Sequence, residues 1–264
     1  MYSIVFHAHQ KLDKAAYEVL IGLKTPKMFF PKLDDIINFE GKNGPDSTKL
    51  KRYVSDNIPW HFIDPHKESD KDLISAIDYH YTELVKSLKK KDEIRSAFEA
   101  AWLAHALVDG LTPAHHWPYA DELERVHGSP AQNRKGIVGR AYVKTGNLSQ
   151  SINKSLQLIG PKGIVTKHAM FEAGAYFITA PMKLAGYFPE PDELKLLSKS
   201  GVIGLFKHYL KDVAALNLYE RYNVNGWNKE LRSEFKKEVL PRMIQMVSLA
   251  WYAACLDAKR GFFK

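Results

Sequence analysis

Along most of this chain apolar side chains recur three and four positions apart, and runs alternating apolar with polar residues are scarce. A chain patterned in this way buries one face of each helix and has little with which to build a sheet, so it is expected to be an all-α, multi-helix bundle. Leu12, Ala16, Val19, Leu20 and Leu23 form one stripe, predicting a helix from His7 to about Leu23. Leu73, Ile77, Tyr81, Leu84 and Leu88 form a second, with Ser69 and Asp72 spaced as a cap. A third helix is predicted from Asp92 to Asp109, stopped by Gly110 with Pro113 beyond. Others are predicted over 164–180, 201–221 and 228–260, the last kinked at Pro241. Gly41, Gly44, Pro45, Pro59 and Pro65 mark an irregular segment between the first two helices.

No internal repeat or linker divides the 264 residues, which are read as a single domain with the metal site argued below in its core. Hydrophobic residues at 45% and charged residues at 26% are values of a folded globular chain, not a disordered one. Residues 1–10 lack the basic start and apolar run of a secretory signal, so the chain as given reads as cytoplasmic, with a secreted mature form carrying a restored initiator Met as the alternative. The apolar stretch 243–256 is shorter than the roughly 20 residues a membrane span needs, and no transmembrane segment is expected. Cys255 is the single cysteine, which excludes an intramolecular disulfide and a thiolate-rich zinc site. Any metal must be held by His, Asp and Glu.

The net charge of +8 is concentrated. Residues 126–171 contain no Asp or Glu but carry Arg134, Lys135, Arg140, Lys144, Lys154, Lys162 and Lys167. This basic stretch, at about 117–166, is either a solvated loop or a field that attracts phosphate-bearing partners, including an anionic membrane touched peripherally.

Within the third helix, His105 and Asp109 lie four residues apart and share a face with Phe98 and Trp102, which points both polar groups inward. A buried carboxylate is costly unless a cation meets it. One such pair also suits a structural hydrogen bond. A second pair, His168 and Glu172, occupies another predicted helix among Phe171, Ala175 and Ile178, and two helices each bringing an imidazole and a carboxylate inward is how bundles build multinuclear metal sites. His115 follows the third helix closely, while His9, Asp46 and His61 add N and O donors from other segments.

In order along the chain, these residues resemble the zinc-dependent phospholipases C and the related single-strand nucleases. The central motif is His105-x3-Asp109-x5-His115; Trp60-His61-Phe62-Ile63-Asp64-Pro65 resembles the His-Phe-aromatic-Asp-Pro segment of the bacterial phospholipases, and His168-x3-Glu172 the last ligand pair. The resemblance implies up to three zinc ions. One would take Asp46, His61, His105 and Asp109; the second His115, His168 and Glu172; the third His9, a bridging Asp109 and the backbone groups of Met1. It also implies Asp46 as acceptor of the proton from the attacking water, or as ligand only. Departures are the Met1-Tyr2 start where relatives expose Trp, Thr112 in place of a Gln, and the 52 residues between His115 and His168, which include the basic insertion.

The implied activity is phosphodiester hydrolysis, in which zinc lowers the pKa of bound water to about 7 so that it serves as a hydroxide nucleophile. A phospholipid substrate is the leading expectation. Single-strand nuclease action is the first alternative, supported by the basic insertion and its Tyr142, and a non-catalytic helical metal-binding protein is the second. Ser47 and Ile58 stand where the phospholipases place choline-binding aromatics, so no choline cage is expected.

Overall fold

The computed structural model describes residues 2–24, 27–41, 43–45, 62–116, 119–128, 143 and 146–260, without the side chains of residues 2–7, 119 and 120. Among these residues the chain is helical with no strand, an all-α multi-helix fold. In chain order the helices are α1 (Tyr2–Leu23), α2 (Leu33–Glu40), α3 (Asp72–Lys90), α4 (Glu93–Gly110), α5 (Tyr119–His127), α6 (Leu148–Ile159), α7 (Ile164–Thr179), α8 (Pro191–Ala215), α9 (Leu218–Asn225), α10 (Lys229–Glu234) and α11 (Leu240–Arg260). A single 3-10 turn, Pro113–His115, follows α4.

The main core forms because apolar stripes from distant segments meet. α3 and α4 pair as a hairpin, with α2 against α4, α1 against α11, and α11 also against α3 and α8. Leu12, Ala16, Val19 and Leu20 of α1 and Leu73, Ile77, Leu84 and Leu88 of α3 are all buried, as their spacing predicts. Trp251 of α11 is fully buried, and its indole N–H donates to the Ala100 carbonyl of α4 at 3.0 Å. At Gly110 a Cβ would lie 2.5 Å from Phe206 and 2.8 Å from Leu73, so only glycine lets α4 end this close to α3 and α8.

Several element boundaries differ from the sequence expectation. α1 begins at Tyr2, five residues before the predicted start at His7, so His9 lies two turns inside it. α3 starts at Asp72 without a side-chain cap, and Ser69 does not serve as one. α4 is capped by Asp92, whose carboxylate accepts from the Arg95 N–H. The stretch 201–221 is broken at Asn217, which takes a left-handed conformation (φ 48°) between α8 and α9. Gly201, non-helical at φ 68°, joins an unforeseen first half of α8 to the predicted one. Before Pro241, which lacks an N–H to donate, the helix widens into a π-turn at Phe235–Val239. The run Lys229–Arg260 is long and apolar enough to cross a membrane by length and composition, but 67% of its apolar window is buried within the protein.

The stretch 117–166 is not all loop. It contains α5 and α6, which with the start of α7 enclose a small core of Leu123, Val126, Val143 and Leu158. Its described part therefore borders α7, one of the two helices with a His-x3-acid pair.

Candidate metal centre

Two groups of imidazoles and carboxylates converge where α1, α2, α4, the Pro113–His115 turn and α7 meet. The first contains His9 from α1 with His105 and Asp109 from α4, all buried. His105 Nε2 lies 3.1 Å from Asp109 Oδ2, and His9 Nε2 lies 3.5 Å from Asp109 Oδ1. The two rings stack with centroids 4.2 Å apart. The second contains His115, His168 and Glu172, where Glu172 Oε1 is 3.0 Å from His115 Nε2 and 3.1 Å from His168 Nε2. These rings also stack, at 5.1 Å, with Phe62 packed at a steep angle against His115.

Local chemistry explains the placement. The i,i+4 spacing puts His105 above Asp109 and His168 above Glu172 on their helices. Gly110 and Pro113 end α4, and the following 3-10 turn folds His115 back until its Nδ1 meets the Asp109 carbonyl oxygen at 3.1 Å. The Ile63 N–H donates to the His115 carbonyl at 3.1 Å, holding the segment with Phe62 over the second group. His116 faces elsewhere: its Nε2 meets the Gly110 carbonyl at 2.8 Å, and burial pushes its pKa down to about 4. α4 is buried on nearly every side from Ser96 to Gly110, yet two residues of the face expected to point inward are not. Phe98 and Trp102 are only partly buried and pack on each other at 4.9 Å, whereas His105 and Asp109 lie deeper.

Asp109 links the groups. Its Oδ1 approaches His115 Nδ1 at 3.6 Å as well as His9, so one carboxylate lies between imidazoles of both sets. Burial opposes ionisation of Glu172, but the flanking His168 and His115 outweigh it and hold the carboxyl well below its ordinary range. The donor atoms of each group lie within 4.8 Å of one another, and either group could hold a metal ion. The set fits a divalent cation of intermediate hardness, since neutral imidazole and carboxylate are its ordinary partners and a positive ion offsets the cost of burying the carboxylates.

Two carboxylates of this region carry no sequence signal. Glu40, the last residue of α2, is buried, and its Oε1 lies 2.8 Å from His105 Nδ1 and 3.7 Å from His9 Nδ1. Donation from His105 Nδ1 to Glu40 would leave the Nε2 lone pair for a cation, which Asp109 Oδ2, 3.1 Å away, could share. Asp13, one turn beyond His9 on α1, is also buried, and burial together with the nearby Glu40 lifts its carboxyl well above the usual range. Glu40→Gln is expected to lower metal affinity about 10–100-fold with little loss of helicity, because the amide keeps the shape but no longer favours one tautomer. Isothermal titration of metal into the variant checks this, and unchanged affinity would remove Glu40 from the centre.

Of the other expected site residues, Met1, Asp46 and His61 lie outside the described residues, as do the side chain of His7 and Arg134, Lys135, Arg140 and Lys144 of the basic stretch. Six expected ligands remain, and the fold brings all six together.

A narrow cleft of about 60 Å³ opens beside the two groups. His9, Asp109, His115 and Glu172 line one part, while Leu12, Tyr176, Phe235 and Met243 supply an apolar wall. Compared with known proteins, the chain matches no family model, no curated protein and no solved structure.

Proposed function

We propose that this chain is a zinc-dependent phosphoric ester hydrolase of the phospholipase C type. The observation that supports the reading most directly is the position of Asp109 between two buried imidazole groups at the edge of a cleft. Six residues in the order of the resemblance noted above, His9, His105, Asp109, His115, His168 and Glu172, meet in space although they come from four separate segments.

On this reading His115, His168 and Glu172 hold one zinc, while His9, His105 and Asp109, which the resemblance divides between two ions bridged by Asp109, stand close enough here to share a single one. Asp46, His61 and Met1 complete the set that the resemblance implies, with a third ion and Asp46 as acceptor of the water's proton. Bound zinc supplies an acidified water and neutralises charge on the phosphoryl oxygens. The chain's own residues do the rest. Glu40 fixes the tautomer of His105, the Asp109 carbonyl fixes that of His115, and Phe62 shields the second pair of imidazoles. The apolar wall of the cleft, with Leu12, Phe235 and Met243, suits the apolar side of a lipid diester better than the sugar of a nucleotide.

Reconstituted with zinc, the protein is expected to hydrolyse a soluble chromogenic phosphodiester and a phosphatidyl lipid, with weaker action on single-stranded DNA. Faster turnover of DNA than of either would favour the nuclease reading. Zinc bound without turnover of any of the three would leave a non-catalytic metal protein.

A further inference from the structure

We propose that the exposed aliphatic face of α6 docks on an anionic membrane surface. The helix has two distinct apolar sides. Leu158 is buried and faces the small core with Leu123, Val126 and Val143, as helix packing requires. The other side does not pack inward: Leu148 is 74% exposed, Ile152 51%, Leu156 55% and Ile159 50%. At 3.6 residues per turn these four fall within a sector of about 80°, next to a polar side of Ser149, Asn153 and Gln157. A single exposed leucine needs no explanation, but four aligned on one twelve-residue helix form a stripe that water does not favour.

Charge identifies the occupant. α6 lies within the 126–171 stretch, which has seven Lys and Arg and no acid. Among the described residues Lys154, Lys162 and Lys167 form no ion pair, so their charge is left for a partner. A second copy of this chain would bring two acid-free basic stretches together, which like charges oppose. A nucleic acid would satisfy the charge but stacks on aromatic rings, and the stripe is aliphatic throughout. An anionic bilayer satisfies both: acyl chains accept Leu and Ile to headgroup depth, and the positive field of the stretch as a whole attracts the lipid phosphates, although Lys154 itself lies on the side of α6 opposite the stripe. Because α6 packs on α7, which carries His168 and Glu172, docking there would hold the metal centre near the lipid surface.

The test is co-sedimentation of the protein as purified with vesicles of phosphatidylcholine alone or with a third of the lipid as phosphatidylglycerol, at low and high salt. The expected result is binding to the anionic vesicles that weakens with salt. Leu148→Ser with Leu156→Ser should reduce the partition coefficient at least about tenfold, since each exposed leucine forfeits its apolar transfer. Replacing Lys162 and Lys167 together by Gln should reduce the preference for anionic lipid about tenfold or more. Circular dichroism checks the fold, and Leu148→Ser alone, at the most exposed position, serves if the double variant is unstable. Equal binding of wild type and variant overturns the inference. So does no binding at all, a dimer in size-exclusion chromatography that the leucine variant dissolves, or loss of single-stranded DNA binding with vesicle binding intact. Hydrolysis of the soluble diester, measured in parallel, separates the two proposals. Docking without hydrolysis sinks the hydrolase reading alone, and hydrolysis without docking sinks this one alone.

Discussion

Asp109→Asn is expected to cost more metal affinity and activity than any other single change in the centre, at least about 100-fold in affinity. The reason is geometric. Each of His9, His105 and His115 meets a carboxylate oxygen of Asp109 within 3.6 Å, so this one side chain serves both groups. Residues that merely orient a ligand contribute about 10–100-fold, and a shared ligand should exceed them. An amide is nearly isosteric but carries no charge and binds cations poorly. Asp121→Asn is the control, since Asp121 is exposed on α5 and outside both groups. Metal titration and turnover on a soluble diester check the pair of variants. Similar losses from both would show that Asp109 holds no special place.

Removal of metal should also lower the melting temperature, by on the order of 10 °C. Asp13, Glu40 and Asp109 are buried together around His9 and His105, and Glu172 lies between His115 and His168. Without a cation this concentration of carboxylates is poorly compensated, as the lifted pKa of Asp13 already indicates. An ion present at about a thousand times its dissociation constant stabilises the fold by about 4 kcal/mol. For a chain of this size 1 kcal/mol moves the midpoint by about 2–4 °C. Thermal unfolding before and after chelation, with metal content measured in both samples, gives the comparison. A midpoint unmoved by complete removal would mean that the two groups are stable as hydrogen-bonded clusters and need no ion.

The centre was only partly legible from the sequence, for reasons that differ by residue. His105 with Asp109, and His168 with Glu172, could be read because helical spacing alone fixes each pair on one face. His115 could be placed because Gly110 and Pro113 announce a turn short enough to bring it back. Glu40 could not: its partner His105 lies 65 residues away, and α2 is a two-turn helix whose amphipathic pattern is too short to stand out beside Pro31 and Gly41. Asp13 was hidden in another way, since a carboxylate in α1 is expected to face solvent and is buried here by the packing of α1 against α2, α4 and α11. For the stretch 117–166 the charge pattern suggests a solvated loop or an attracting field, and no helix is predicted before residue 164. α6 nevertheless forms there, capped by Asn147, whose side chain accepts from the N–H groups of Ser149 and Gln150. Asn147 is a start signal that the sequence itself displays.

The two imidazole–carboxylate groups could hold a metal ion, proposed above to be zinc, and metal content tests this most directly. Protein purified without chelator, dialysed against metal-free buffer and measured by inductively coupled plasma mass spectrometry is predicted to carry at least two zinc ions per chain. Asp109→Asn should carry markedly fewer. Absence of stoichiometric metal in the wild type, with no uptake on reconstitution with zinc, would contradict the account.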